Sequence, residues 1–350
     1  MPRCCILIPA YQPDERLYEL VRTLSNRQLP AVVVDDGSTV GGEIFDRLEK
    51  DGVPVLHHEV NRGKGRALKT GLAYLAAHGY EAAVTADADG QHTVSDILAV
   101  MQAMDEQPGK LVLGVRDVAQ MPPRSRTGNS ITRALFRLLY GIRLTDTQTG
   151  LRGIPLTAEN TAPLTVLAGE RYEYEMVMLM ESGTLFPAGI AEIPIATIYY
   201  GNNETSHFRA LRDGSKIYAV LLRRLPGFLA SSLTTFGVDY ALFNLLYYQM
   251  LGRRTIPATV LARLVSATAN YEINKHLVFR AGGGAYNAWN YFKLAACLLA
   301  ANSLLMYLLV DIAGLPAFAV KIFAEILLYA VSFSVQNACA VRKKKSRKMR

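Results

Sequence analysis

A chain of 350 residues that is half apolar is longer than one typical soluble domain, so at least two units are expected. Its formal charge of +8 would suit a polyanionic partner, but the last nine residues, Arg342 to Arg350, hold seven Lys or Arg and the remainder is close to neutral, which excludes nucleic acid as the expected partner. Cys4, Cys5, Cys297 and Cys339 have no spacing suited to disulfides, and the short apolar stretch after Met1 runs into Pro9, Tyr11 and Asp14 rather than forming a signal peptide, so a reducing, cytoplasmic setting is expected for the first half.

In chain order, strands are expected at residues 4–8, 31–34, 53–57, 81–86 and 110–115, alternating with helices at 14–26, 42–50, 65–78 and 94–106. Short loops and strict alternation predict a Rossmann-like, mostly parallel α/β sheet with helices on both faces. Ligands then bind beyond the carboxyl ends of the strands, where Pro9, Asp35-Asp36 and Asp87 to Gln91 fall. Residues 124–140 and 215–225 have the pattern of basic amphipathic helices that lie at a bilayer surface, with Arg124, Arg133 and Arg137 as solvated interface residues.

Beyond Arg224 the composition changes. Apolar stretches at 228–250, 256–278, 291–310 and 316–340 approach the ~20 residues a bilayer helix needs. The expected organisation is therefore a cytoplasmic domain over 1–224, an all-α four-helix transmembrane domain over 225–341, and a basic tail over 342–350. An even number of spans returns the tail to the cytoplasm. Arg253 and Arg254 oppose that orientation but are outnumbered by Lys275, His276, Arg280 and the tail. Asp239, Arg263, Lys321 and Glu325 fall inside these spans, where ionised groups need partners; they are expected as Asp239–Arg263 and Lys321–Glu325 pairs or as a polar track for a sugar-phosphate head group.

Three segments of the first half carry chemistry. In Asp87-Ala88-Asp89-Gly90-Gln91, the first, third and fifth side chains of an extended segment share a face, so Asp87, Asp89 and Gln91 offer oxygens to one hard cation, Mg²⁺ or Mn²⁺, able to hold a diphosphate. Asp35-Asp36-Gly37-Ser38 ends the second strand and places carboxylates for a ribose or base. Asn61-Arg62-Gly63-Lys64-Gly65-Arg66-Ala67 opens the third helix with N–H groups and the charge of Lys64 for an anion.

These segments, with Ile8-Pro9-Ala10-Tyr11, resemble the ordered motifs of glycosyltransferase family 2, in its dolichyl- or polyprenyl-phosphate sugar synthase branch, over most of residues 1–224. The resemblance implies a GT-A type fold, a UDP- or GDP-linked sugar donor, a polyprenyl phosphate acceptor and hexosyl transfer. Pro9, Tyr11, Asp35, Asp36, Lys64, Asp87 and Asp146, the last in Asp146 to Gly153, would serve the donor, with the metal on Asp87, Asp89 and Gln91. Arg116, Arg126, Ser130 and Arg209, or Arg212 in place of Arg209, would hold the acceptor phosphate, and Arg152 is a further candidate near the donor sugar. A phosphate monoester with a second pKa near ~6 is already anionic, so no base is compulsory and single displacement with inversion is expected. Glu173 or Glu175, with Glu175 preferred, lies where related folds place a base, and the expected catalytic set is Asp89, Arg116, Arg126 and Glu175.

Residues from 227 onward resemble the GtrA-like family through Phe236-Gly237-Val238-Asp239 and Asn270-Tyr271-Glu272-Ile273-Asn274-Lys275, which implies a membrane domain that anchors the enzyme or flips its lipid-linked product. A polysaccharide synthase is disfavoured because the Gln-x-x-Arg-Trp motif is missing and the only Trp is Trp289. The alternatives are a glycolipid synthase with an alcohol acceptor and a flippase with a non-catalytic nucleotide-sugar-binding domain. A homo-oligomer is compatible with the membrane half.

Overall fold

The structure, a computed structural model, describes residues 3–119, 121–196, 210–250, 255–279 and 287–341. It divides into two compact units: Met1–Arg137 with Ile142–Leu221, and Leu138–Gly141 with Leu222–Arg350.

The first unit opens with β1 (Cys4–Ala10), α1 (Glu15–Asn26), β2 (Ala31–Asp35), α2 (Gly42–Lys50), β3 (Val55–His57), α3 (Lys64–Ala77), β4 (Ala82–Thr85), α4 (Val94–Glu106) and β5 (Leu111–Arg116). It continues through α5 (Pro123–Tyr140), β6 (Arg152–Pro155), α6 (Thr161–Val166), α7 (Glu173–Met180), α8 (Ser182–Leu185), β7 (Ile190–Ile195) and α9 (Ala210–Leu221). The strands form one sheet in the order β3-β2-β1-β4-β6-β5-β7. All pairings are parallel except those of β6, which runs antiparallel to both β4 and β5. The sheet is thus mixed and mostly parallel, as expected from the alternation.

The central strands are buried on both faces because helices cover both. Ile6 and Ile8 of β1 and Val33 of β2 pack with Leu17, Val21 and Leu24 of α1, Ile44, Phe45 and Leu48 of α2, and Ile97 and Val100 of α4. Leu7, one residue out of phase, points the other way and lies against Gly71 of α3, where a Cβ would collide with it. Helix ends follow local chemistry: the Asp14 carboxylate caps α1, and Thr93 with Asp96 forms a reciprocal capping box on α4. α9 begins and ends earlier than the amphipathic pattern suggests.

β1 leads to β2 and β3 on one side, while α3 carries the chain across to β4 on the other. The strand order therefore reverses between β1 and β4, which leaves a crevice beyond their carboxyl ends.

The second unit holds α10 (Leu225–Leu245), α11 (Thr255–Ile273), α12 (Ala288–Met306) and α13 (Ala317–Val341), with π turns after the first three. Among the described residues no helix is long and apolar enough to cross a membrane. Ser231, Ser232, Thr234, Thr235 and Asp239 dilute the apolar character of α10. Phe228 packs on Phe279, Tyr329 and Phe333 at ring separations of 5.9, 5.1 and 5.1 Å. Polar groups pair across helices: the Ser231 hydroxyl donates to Asn270 Oδ1 at 3.1 Å and the Ser266 hydroxyl to Asp239 at 2.7 Å, while the Asn274 amide donates to Asn270 Oδ1 at 2.6 Å one turn along the same helix. The side chains of Arg263, Lys321 and Glu325, and residues Arg253, Arg254, Arg280 and 342–350, lie outside the described residues.

Candidate active site

The carboxylates that end β2 hold the loop in front of α3. Asp36 accepts from the backbone N–H groups of Arg62 and Gly63 at 2.9 and 2.7 Å and faces His58 Nδ1 at 2.9 Å. Asp35 accepts from Ser38 N–H at 2.8 Å and faces His57 Nδ1 at 3.0 Å. Gly63, at φ 104°, is packed so tightly that a Cβ would strike the Glu170 carbonyl, so the entry to α3 requires glycine there. Asp36 lines the crevice and Asp35 does not.

At the end of β4, residues 87–91 form a turn, not the extended segment expected. Gly90 sits at φ 75° and Asp89 Oδ1 accepts from Gln91 N–H at 3.0 Å, an Asx-type turn that takes Gln91 off the face of the aspartates. Asp87 and Asp89 both line the crevice, and Gln91 is not among its lining residues. Lys64, from the first turn of α3, reaches Asp87 Oδ1 at 2.6 Å and Glu175 Oε1 at 3.2 Å. His92 Nε2 is 3.5 Å from Asp87 Oδ2.

Burial alone would discharge this cluster, and its mutual charges prevent that. Burial pushes the Lys64 ammonium down, yet Asp87 and Glu175 outweigh it and hold the group charged well above the usual lysine range. Burial pushes Asp87 up, but Lys64 and His92 keep it well below the usual carboxylate range. At Asp89 the balance is reversed: burial, then the charge of Asp87, raises its pKa, and the Gln91 N–H, His92 and Lys64 offset this only in part.

The loop into β6 and the first turn of α7 wall the cluster. Gly150 lies where a Cβ would clash with Asp87 Oδ2, and its carbonyl accepts from Thr85 Oγ1 at 2.7 Å. The wholly buried guanidinium of Arg152 donates from Nε to Thr149 O at 2.9 Å and from Nη1 to the backbone carbonyl of Glu175 at 2.8 Å. It thereby fixes the turn that presents Glu175, while Glu173 accepts from Glu170 N–H at 3.1 Å.

Asp146 is fully buried and binds Arg116 through both carboxylate oxygens, at 2.6 and 3.1 Å, which orients the guanidinium at the end of β5. The Arg126 guanidinium donates to Ala119 O and Met121 O at 2.7 and 3.2 Å, and Ser130 is exposed on α5. Arg209 and the side chain of Arg212 lie outside the described residues.

The crevice has a volume of about 620 Å³. It gathers Pro9, Tyr11, Asp36, Lys64, Asp87 and Asp89 and leaves Asp35, Gln91, Arg116, Arg126, Ser130, Asp146 and Glu175 off its lining. Arg171 and Tyr172, just ahead of the candidate bases Glu173 and Glu175, also line it.

Among the described residues, no group of three or more His, Cys, Asp or Glu forms a metal cage. A small hard cation does not need one, since it is commonly held by one or two carboxylates and completed by substrate phosphates and water. Asp87 and Asp89, two carboxylates in one crevice whose mutual repulsion a cation would relieve, fit that donor set.

Residues 5–157 match the model of the glycosyl transferase family 2, and residues 195–340 match that of the GtrA/DPMS transmembrane domain. The UDP-N-acetylglucosamine–dolichyl-phosphate N-acetylglucosaminyltransferase of Methanococcus voltae is 32% identical over 55% of this chain and 85% of its own length. The undecaprenyl-phosphate mannosyltransferase of Micrococcus luteus is 29% identical over 56% of this chain and 84% of its own length. The polyprenol monophosphomannose synthase of Mycolicibacterium smegmatis is 30% identical over 43% and 60%. In fold, the chain is similar to the crystal structure of glucosyl-3-phosphoglycerate synthase from Mycobacterium tuberculosis in complex with Mn²⁺, UDP-glucose and phosphoglyceric acid, with a TM-score of 0.50 at 20% identity over 63% of this chain and 79% of that one.

Proposed function

This chain belongs to glycosyltransferase family 2, with a GtrA/DPMS transmembrane domain following the catalytic unit, and from that premise we propose that it transfers one sugar from a nucleotide diphosphate sugar to a polyprenyl phosphate at the cytoplasmic face of a membrane. The observation that carries the reading is the meeting of Asp36, Lys64, Asp87 and Asp89 in one crevice at the switch point of the sheet. Relatives named for dolichyl, polyprenol and undecaprenyl phosphate acceptors support the choice of acceptor.

In this reading the nucleotide lies along Pro9, Tyr11 and the loop pinned by Asp36, with its diphosphate toward the N-terminus of α3 and Lys64. Asp87 and Asp89 would hold Mg²⁺ or Mn²⁺, which supplies neutralising charge to the diphosphate when bound. Arg116, aimed by Asp146, together with Arg126, Ser130 and Arg209 or Arg212, receives the lipid phosphate. An anionic phosphate oxygen attacks the anomeric carbon, the bond from that carbon to the diphosphate oxygen breaks, and the nucleoside diphosphate leaves with the electron pair, so the sugar inverts. No proton has to be removed. Glu175, engaged with Lys64, acts through charge and not as an obligatory base. The second unit anchors the enzyme and holds or flips the product.

The test is sugar transfer by the purified full-length protein from UDP-glucose, UDP-N-acetylglucosamine and GDP-mannose to a polyprenyl phosphate with Mg²⁺ or Mn²⁺. Asp89→Ala is expected to lose about a thousandfold or more of the activity of the preferred donor. Glu175→Gln is expected to slow transfer without abolishing it; complete loss would favour an alcohol acceptor that needs a base. Equal transfer by wild type and Asp89→Ala would refute the reading.

A further inference from the structure

The Asp87 carboxylate is 31% exposed toward the crevice, and both of its oxygens have close neighbours. Oδ1 is 2.6 Å from Lys64 Nζ, while Oδ2 is backed by Gly150, where even a methyl group would collide, and faces His92 Nε2 at 3.5 Å. A hard cation binds carboxylates through their oxygen lone pairs, so it competes with Lys64 for Oδ1. The side chains of Lys64 and Glu175 are only 16% and 10% exposed, so the ammonium is tied to the cluster by weakly screened charge. It also has two other anions to turn to. Glu175 Oε1 is already 3.2 Å away, and Lys64 projects from the first turn of α3 into the crevice, where a diphosphate would place its charge.

We propose that Lys64 is a built-in counter-ion that makes cation binding at Asp87 conditional on the donor: the ammonium holds Asp87 until a nucleoside diphosphate offers it a replacement anion, so that cation and donor bind cooperatively and the cation alone binds weakly. Glu175 keeps the released lysine within reach. The proposal rests on the reading of Asp87 as the cation-side ligand of a nucleotide-sugar enzyme, but concerns the order of binding rather than the reaction. By linkage, the factor by which the nucleotide tightens the cation is the factor by which the cation tightens the nucleotide. Lys64 is in this sense a positioning residue. If the ion pair served only the fold, removing it would not improve cation binding.

Equilibrium dialysis of the full-length protein in detergent, counting the Mn²⁺ it retains alone and with UDP or GDP, tests this without reference to turnover. Wild type is expected to bind Mn²⁺ about tenfold or more tightly with one of the two nucleotides than without. Lys64→Met is expected to bind Mn²⁺ alone about tenfold more tightly than wild type and to lose most of the nucleotide-dependent gain. Wild-type affinity that is the same with and without nucleotide overturns the proposal, whatever the variant does. So does a folded Lys64→Met, with wild-type circular dichroism, whose affinity for Mn²⁺ alone is unchanged or weaker. Wild type that retains no Mn²⁺ under any condition overturns both this proposal and the cation-dependent donor reading, whereas cation binding without coupling overturns this proposal alone.

Discussion

At the scale of single residues, the site is set by what each side chain is prevented from doing. Gly150 has no positive φ, but any Cβ there would strike Asp87 Oδ2. Gly150→Ala is therefore expected to lower kcat/KM about a hundredfold, the usual consequence of misplacing a group by about 1 Å, while circular dichroism and Tm stay close to wild type. Cys4 and Cys5 show the reverse case, chemistry suppressed by burial. Burial, with a smaller contribution from Asp105 for Cys4 and from Cys4 for Cys5, pushes both thiols up to about 12. Neither forms thiolate at pH 8, so alkylation by iodoacetamide, followed by mass spectrometry, should mark these two positions only after denaturant is added.

At the scale of elements, α3 is the member whose placement matters most, since its first turn carries Lys64 and its flank is tied to the loop before α7. Glu170 accepts from Arg66 Nε and Nη2 at 2.6 and 2.9 Å and from Lys69 Nζ at 3.0 Å. Burial would raise the Glu170 pKa, but Lys69 and Arg66 lower it below the usual value. A carboxylate lowered on folding stabilises the protein above its unfolded pKa of about 4.3, and that contribution is lost as pH falls through the lower folded value. Glu170 is 45% exposed, so Glu170→Gln is expected to cost no more than about 1 kcal/mol at pH 7, with the gap in Tm to wild type closing below about pH 4.

Most of this element order was legible because buried parallel strands are short apolar runs and the helices between them carry a regular stripe, as at Ile44, Phe45 and Leu48. β6 and β7 were not legible. Arg152-Gly153-Ile154-Pro155 has neither alternation nor an apolar run, and Pro194 in β7 is tolerated only because that strand lies at the sheet edge. The motif at Asp87 to Gln91 revealed its two aspartates, but not the turn at Gly90 that removes Gln91. The contacts of Lys64 with Asp87 and Glu175 were hidden for a different reason: they join the first turns of α3 and α7 to the turn after β4, which only the folded sheet brings together.

At the scale of the whole molecule, the reading of an integral membrane enzyme has a direct consequence in fractionation. The full chain is expected to stay in the membrane pellet through alkaline carbonate and to be released by detergent, as an embedded protein would. Release by carbonate alone would make it a peripheral protein, held only by basic interface helices and the tail.

The reversal of β6 is the feature that makes this architecture sensitive. Because that strand runs against its neighbours, its entry, not its exit, arrives at the working rim, and the stretch from Asp146 to Gly150 is delivered beside Asp87 and Arg116. The stretch is metered from one end like the teeth of a key. Slide it by a single position and Thr149 or Leu151 would occupy the notch that tolerates only a hydrogen atom. Lengthening or shortening the chain at the exposed turn 157–159 leaves that notch in place, so diversification of this enzyme is expected to tolerate changes at that turn and to resist them just before β6.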